Sequence, residues 1–199
     1  VLMHIINAIK TGDVSEAPRL EAMLSHTIQS NKEREMAYVR QATHDALTGC
    51  KNRRAFDSDV AELLNAQQPF AMALVDIDNF KSINDTLGHL TGDIVLRNVA
   101  REGIQIMQPH HVSLYRYGGE EFAVIFQAEQ MTSALSLLEA WRTAVEKRVW
   151  REENLRVTFS GGLGEWHFEP LEQFVGSVDN ALYSAKQQGK NRINRTSIS

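Results

Sequence analysis

The chain has 199 residues, 43% of them hydrophobic and 23% charged, which suits one globular domain with an appendage better than two full domains. A formal net charge of −4 argues against a general nucleic-acid or anionic-membrane binder, so any polyanionic ligand must be held by local cations or by metal. Cys50 stands alone, which excludes an internal disulfide and fits a reducing, cytoplasmic setting. No apolar run approaches the roughly 20 residues of a membrane span, so no membrane contact is expected from this segment. The opening VLMHIINAIK is too short and interrupted for a signal peptide. It also lacks a natural start, and the expectation is a fragment whose missing N-terminal region carried a sensor or a membrane anchor.

Residues 1–43 read as a helical segment distinct from a domain at 44–199. Thr11-Gly12-Asp13 breaks off a first short helix, and Pro18 sits where a second begins. Leu20, Leu24 and Ile28 then recur at helical spacing, followed by the charged run Lys32–Glu35 and by Met36 and Val39. Two roles stay open: a solvated lead-in, or a helix that pairs with a second copy through a stripe broken for a coiled coil. From His44 onward strands and helices alternate. A helix is expected near Arg53–Asn65, a buried strand over Phe70–Asp78, a short helix over Phe80–Leu87 and a longer one over Thr91–Met107. A hairpin follows, with arms Val112–Tyr117 and Glu121–Phe126 turned at Gly118-Gly119. Residues 131–149 read as helix, Arg156–Gly164 as strand, Leu171–Gln188 as a helix stopped by Gly189, and Arg192–Asn194 as a last strand. Alternation around a central hairpin points to an α+β sheet covered by helices, not a purely parallel one.

The strongest local signal is Arg116-Tyr117-Gly118-Gly119-Glu120-Glu121-Phe122. A two-residue hairpin turn accounts for the glycines. It does not account for two adjacent carboxylates just after it, which repel each other and give a hairpin tip little folding benefit. A hard cation makes them favourable, because carboxylates are the natural ligands of magnesium. The buried strand ends in Val75-Asp76-Ile77-Asp78, whose two acids share a face at its carboxyl end. With Glu120 and Glu121 nearby, they suit a two-metal site. Asp78, beside Asn79, reads mainly as a cap for the next helix; Asp76, inside the strand, has no such role. The first free N–H groups of that helix, around Phe80 and Lys81, make a phosphate site. Lysine is a poor choice there for stability alone.

Asn84 and Asp93 are individually ordinary, the first a surface amide and the second an acid favoured in a first helical turn. As a pair they suit guanine, whose N1–H and exocyclic amine donate to a carboxylate; adenine leaves that carboxylate unpaired. Lys186 and Lys190 lie four apart near the end of the last helix. Either helix-dipole stabilisation or contact with terminal phosphates accounts for them.

Together these residues resemble the GGDEF family of diguanylate cyclases over roughly 42–199. The matching pieces are His44-Asp45-Ala46-Leu47-Thr48-Gly49 with Asn52-Arg53-Arg54, then Asp76-Ile77-Asp78-Asn79-Phe80-Lys81 and Asn84-Asp85-Thr86-Leu87-Gly88-His89. They continue through Gly92-Asp93 and Gly118–Phe122 to Ala185-Lys186 and Gly189-Lys190-Asn191. The resemblance implies a fold like the palm of class III nucleotidyl cyclases, a central, mostly antiparallel sheet wrapped by helices. It implies a homodimer in which each domain binds one GTP and the 3′-hydroxyl of each GTP attacks the α-phosphate of the other, yielding cyclic di-GMP and two pyrophosphates. It implies Mg2+ or Mn2+, two per site, on Asp76, Glu120 and the Ile77 carbonyl, with Glu121 a further metal-site acid. Glu120 is also the implied base, Lys81 steadies the transition state, Asn84 and Asp93 read guanine with His89 and Phe80 nearby, and Lys186 and Lys190 hold the β/γ-phosphates. A partner or sensor upstream is implied as the controlling input.

Three departures from the family pattern matter. Cys50 stands where leucine is usual, and a small hydrophobe is tolerated there. Lys190 replaces a common arginine, keeping the charge and losing the bidentate fork. The product-inhibition motif Arg-x-x-Asp falls at 109–112, where this chain has Pro109, His110, His111 and Val112. No inhibition through that site is expected, and the two histidines read as loop residues. Beside the active cyclase stand two alternatives: a receptor of the same fold without turnover, and a cyclase accepting mixed purine nucleotides.

Overall fold

The run Phe70–Val75 carries no polar side chain and every one of its residues is buried, the pattern of a strand covered on both faces. In the computed structural model, which describes residues 17–152 and 154–196, this run is the core of the central strand β2 (Phe70–Ile77). The described chain runs α1 (Ala17–Thr43), β1 (Lys51–Asn52), α2 (Arg53–Asn65), β2, α3 (Phe80–Leu87), α4 (His89–Met107), β3 (Ser113–Arg116) and β4 (Glu121–Gln127). It continues through α5 (Ala134–Glu146), β5 (Phe159–Glu165), α6 (Leu171–Gln187) and β6 (Ile193–Arg195). The sheet order is β1-β3-β4-β2-β5-β6. The inner pairings β3–β4, β4–β2 and β2–β5 are antiparallel, while β1–β3 and β5–β6 at the edges are parallel. This is the mixed α+β sheet wrapped by helices that the sequence implies.

Alternate residues of β2 feed two cores, as the period of a strand requires. Ala71, Ala73, Val75 and Ile77 pack with Val95, Val99, Leu138 and Trp141 of α4 and α5. Phe70, Met72 and Leu74 pack on the other face with Phe56, Val60, Phe174, Val178 and Leu182 of α2 and α6. Gly162 lets α6 approach closely, since a Cβ there would lie 2.1 Å from the Val178 carbonyl oxygen. Asp76 continues the α2/α6 face, so the sheet delivers it beneath the end of α6.

Several expected boundaries move. The helix expected from Thr91 starts at His89, after Gly88 turns the chain at φ +83°. The helix expected over 131–149 is a 3-10 turn at Met131–Ser133 followed by α5. The strand expected from Arg156 begins at Phe159, and the last strand lies one residue later than expected. β1 is two residues long, too short to show a periodicity. The hairpin is wider than a two-residue turn. Arg116 pairs with Phe122, and both the Tyr117 and Gly118 N–H groups donate to the Glu121 carbonyl, at 2.8 and 3.2 Å. Glu120 thus lies in the loop itself.

The chain divides into two units, one through Ala42 and one from Thr43. Within the first, α1 begins beside Pro18 and leaves Leu24, Ile28, Met36 and Val39 exposed. The short helix expected before Thr11 and the break at Thr11–Asp13 lie outside the described residues. Among the described residues no helix is long and apolar enough to cross a membrane.

Candidate active site

The antiparallel register of β2 and β4 sets Asp76 directly opposite Glu121, so both carboxylates project from the same face of the sheet. The hairpin loop is drawn onto the end of β2 by the Ile77 N–H, which donates to the Glu120 carbonyl at 3.4 Å. Gly118 lies under the Glu121 carboxylate, so that a Cβ there would lie 2.4 Å from the Glu121 Oε2 and the side chain would have to shift. A Cβ on Gly119 would meet nothing within 4 Å, so the loop tip faces open room beside Glu120. Tyr117 steadies the approach to this tip, its ring 5.1 Å from that of Phe56 and 4.4 Å from the Arg53 guanidinium carbon.

Lys186 in the last turn of α6 and Lys190 in the loop after it both reach this place. The Lys186 Nζ lies 2.9 Å from Asp76 Oδ1, and the Lys190 ammonium donates to the Asn79 side-chain oxygen at the start of α3. Burial pushes the Asp76 carboxyl above the ordinary carboxylate range, against the opposing pull of Lys186. Lys81, exposed on the first turn of α3, makes no hydrogen bond or ion pair among the described residues. The structure therefore gathers Asp76, Ile77, Glu120, Glu121, Lys186 and Lys190 at one end of the sheet, with Phe80 and Lys81 at the adjoining helix start.

Asn84 and Asp93 belong to the packed pair α3–α4. Asn84 Oδ1 is buried with no hydrogen-bond partner, and a Cβ on Gly92 would lie 1.9 Å from it, so glycine at 92 is what leaves that amide its position. Because α4 begins at His89, Asp93 sits in its second turn, and the dipole no longer accounts for an acid there. Its nearest charge is Arg97, at 4.0 Å. His89 is exposed on the first turn of α4.

Residues 42–192 match the family described as diguanylate cyclase, GGDEF domain. The chain belongs to this GGDEF family. Diguanylate cyclase VdcA of Vibrio cholerae serotype O1 is 37% identical over 168 residues, covering 81% of this chain and 49% of that protein. The crystal structure of the coiled coil and GGDEF domain of DgcB from Caulobacter crescentus, in complex with c-di-GMP, has a TM-score of 0.74 at 32% identity, over 91% of this chain and 100% of that one. The active GGEEF domain of a diguanylate cyclase from Vibrio cholerae has a TM-score of 0.67 at 31% identity, over 75% of this chain and 99% of that one. The chain spans about half the length of the curated relatives it matches.

GGDEF diguanylate cyclases generally use a divalent metal. Among the described residues, no three His, Cys, Asp or Glu side chains gather closely enough to hold an ion by themselves. The donors at the end of β2 nonetheless fit magnesium, which binds through one or two carboxylates and completes its shell with water and substrate phosphates. Asp76 is 15% exposed and already held against an ammonium group, the mark of a carboxylate that favours a cation. Asp76 and Glu120, with the Ile77 carbonyl, suit a metal that arrives with the nucleotide.

Two parts of this GGDEF site escaped the sequence. Asp78 is not a helix cap: Asn79 takes that place at φ 58° with no side-chain capping bond. Asp78 is buried, 4% exposed, and accepts from Thr158 Oγ1 at 2.7 Å, Ser160 Oγ at 2.8 Å and the Asn191 N–H at 3.0 Å. The second is a clamp on the hairpin. Arg116 donates through Nη1 to both oxygens of Asp45, at 3.1 and 3.2 Å, and through Nη2 and Nε to the Gly119 carbonyl, at 2.9 and 3.2 Å. Burial tends to raise the Asp45 carboxyl, but donors from Thr48 and Arg116 outweigh it and hold it below the ordinary range. With the Gly119 carbonyl held by Arg116 and the Glu120 carbonyl by Ile77, Glu120 is fixed from both sides. Asp45 and Arg116 lie far apart in sequence, and no spacing rule links them.

Proposed function

We propose that this chain carries the catalytic domain of a diguanylate cyclase, which condenses two GTP molecules into cyclic di-GMP and two pyrophosphates. One observation carries this reading: Asp76, drawn to the Glu120–Glu121 hairpin, meets Lys186 of α6, while Lys190 of the following loop rests on Asn79 at the N-terminus of α3. Acid beside cation beside free helix N–H groups is the equipment that a metal-bound triphosphate needs.

In this reading Asn84 and Asp93 bind the guanine edge, with Phe80 beneath and His89 at the rim. The unpartnered Asn84 oxygen supports that role, because a buried acceptor left open is costly unless a ligand supplies its donor. Lys186 and Lys190 turn from Asp76 and Asn79 to the β- and γ-phosphates. Asp76, Glu120, Glu121 and the Ile77 carbonyl would hold magnesium or manganese, two ions per site, which would supply charge neutralisation at the phosphates and a lower pKa for the attacking hydroxyl. Glu120 accepts the 3′-hydroxyl proton, and Lys81 donates to the charge that develops on the α-phosphate. The new bond joins the 3′-oxygen to the α-phosphorus of the opposite GTP, and the bond to pyrophosphate breaks. Two such steps close the ring.

One site holds one nucleotide, so two copies of the domain must face each other. Residues 1–43 are the place to control that meeting, under an upstream sensor or partner. GTP supply places the reaction in the cytoplasm, whether or not the longer protein is anchored.

Incubation of the chain with GTP and magnesium, followed by chromatography, should reveal cyclic di-GMP, with a rate per chain that rises with protein concentration. GTP recovered intact from a tight complex would instead indicate a receptor, and incorporation of ATP would indicate mixed purine chemistry. Added cyclic di-GMP at low micromolar levels should leave the rate unchanged. Inhibition that disappears on altering residues 109–112 would overturn that expectation.

A further inference from the structure

The loop that carries Lys190 is backbone-strained. Gly189, Lys190 and Asn191 adopt φ of 112°, 63° and 49° in succession, and two of the three are not glycine. Left-handed backbone is tolerated by asparagine but is costly for a lysine, and it persists at Lys190 only where the surroundings hold it. Here the holding contacts can be named. The Lys190 N–H donates to the Ala185 carbonyl at 3.0 Å, and Arg192 Nε donates to the Lys190 carbonyl at 3.2 Å. The Asn191 side chain accepts from Arg142 at 2.7 Å and donates to Glu146 at 2.8 Å, which ties the loop to α5. The Asn191 N–H donates to Asp78, which sits next to Asn79, the residue on which the Lys190 ammonium rests.

Asp78 also invites explanation. It is a buried carboxylate whose three recorded donors, two hydroxyls and one peptide N–H, are all neutral. A charge in such a place is costly, and its hydrogen bonds must offset the loss of water. Those bonds join the end of β2 to the segment before β5 and to the lysine loop, so Asp78 ties the Lys190 loop to the strand that carries Asp76.

We propose that Asp78 is a positioning residue that acts through the Asn191 N–H to hold the Lys190 ammonium over the nucleotide's terminal phosphates. This rests on the phosphate-binding role of Lys190 given above. It adds that Asp78 acts by accepting hydrogen bonds and touches neither metal nor substrate.

The test measures binding of 3′-deoxy-GTP with magnesium by calorimetry. This probe lacks the attacking hydroxyl, so affinity is read without turnover. Lys190→Ala should weaken binding about tenfold, the scale of one charge-assisted contact. Asp78→Ala should weaken it about as much. The double variant should be no weaker than either alone, because the two residues act along one path. Asp78→Asn should stay within about twofold of the unaltered chain, since its amide oxygen still accepts from Asn191 and Thr158 while its NH2 group donates to Ser160.

A roughly hundredfold loss in the double variant would mean independent effects and would overturn the inference. So would an Asn variant as weak as the Ala one, which would make the charge itself the active feature. If Lys190→Ala binds normally, the phosphate role of Lys190 fails, and this inference fails with it. If Lys190→Ala weakens binding and Asp78→Ala does not, only the positioning role fails. Should Asp78→Ala not fold, Asp78→Ser, whose hydroxyl is too short to reach Asn191, carries the same expectation. A chain that binds the probe but forms no cyclic di-GMP would sink the cyclase reading and leave this coupling readable.

Discussion

Around α3 and α4, the polar groups of the site stand open: Asn84 Oδ1 has no partner, Lys81 reaches into solvent, and Asp93 meets Arg97 only at 4.0 Å. At the end of α6 the arrangement is the reverse, with Lys186 closed on Asp76 and Lys190 on Asn79. The proposed base side is a mould held by packing, where Gly92 makes space for the unpartnered Asn84 amide oxygen. The proposed phosphate side is a set of internal ion and dipole pairs that a bound nucleotide would replace with its own charges. Substitutions on the base side should therefore act on recognition, and those on the phosphate side should also change the free protein.

The largest effect expected is on neither side but between them, at the hairpin. Glu120→Ala should nearly abolish cyclic di-GMP formation while leaving the melting temperature close to that of the unaltered chain, since Glu120 sits in a loop whose bonds are made by its backbone. Near-normal turnover in this variant would remove the acid hairpin from the chemistry. Next is Lys81→Ala, which should lower kcat by about 10²-fold, the ~3 kcal/mol typical of one lost transition-state donor, with little change in KM. A change confined to KM would make Lys81 a ground-state phosphate ligand.

Smaller again is Asp93→Ala, expected to raise the KM for GTP by about 10- to 100-fold, as befits the loss of a charged acceptor for two donors. It should also narrow the preference of GTP over ATP. If KM rises equally for both nucleotides, the base side does not read guanine through this residue. Gly92→Ala should mimic part of this effect without touching any polar group, because its methyl displaces the Asn84 amide.

How much of this was legible in the sequence follows the same division. The buried strand, the helices over Arg53–Asn65 and Phe80–Leu87 and the order of elements are readable because periodicity and apolar runs are local properties. Asp76 and Glu120 stand out in the sequence because no local role explains a carboxylate there, whereas Asn84 and Asp93 are locally ordinary and suggest chemistry only as a pair. What stayed hidden depended on distant partners. The sequence predicts a two-residue turn, yet the Tyr117 and Gly118 N–H groups both donate to the Glu121 carbonyl and the Ile77 N–H to that of Glu120. Asp78 looked like a cap because Asn79 follows it, and only the approach of Thr158, Ser160 and Asn191 reveals its use. α4 starts earlier than the spacing predicts because Gly88, with no capping side chain, begins that helix by its φ of +83°.

The smallest expected effect concerns the buried charge of Asp76. Burial raises the Asp76 carboxyl above its ordinary range even though Lys186 draws it down. The folded chain therefore binds this proton more tightly than the unfolded chain. As pH rises from the ordinary carboxylate range through the raised value, the unfolded state ionises first and folding becomes less favourable. At neutral pH the cost of the buried charge is fully present. Asp76→Asn removes that cost, so it should melt at a higher temperature than the unaltered chain at pH 7 while losing cyclase activity. Lys186 loses its partner in this variant but is 34% exposed and finds water instead. The difference in melting temperature should close as pH falls below the ordinary carboxylate range, where the aspartate is neutral in both states. A variant that melts lower at pH 7 would mean that the Lys186 pair outweighs the burial of Asp76. The phosphate side would then be stable as it stands, and a nucleotide would have to displace a favourable contact to enter.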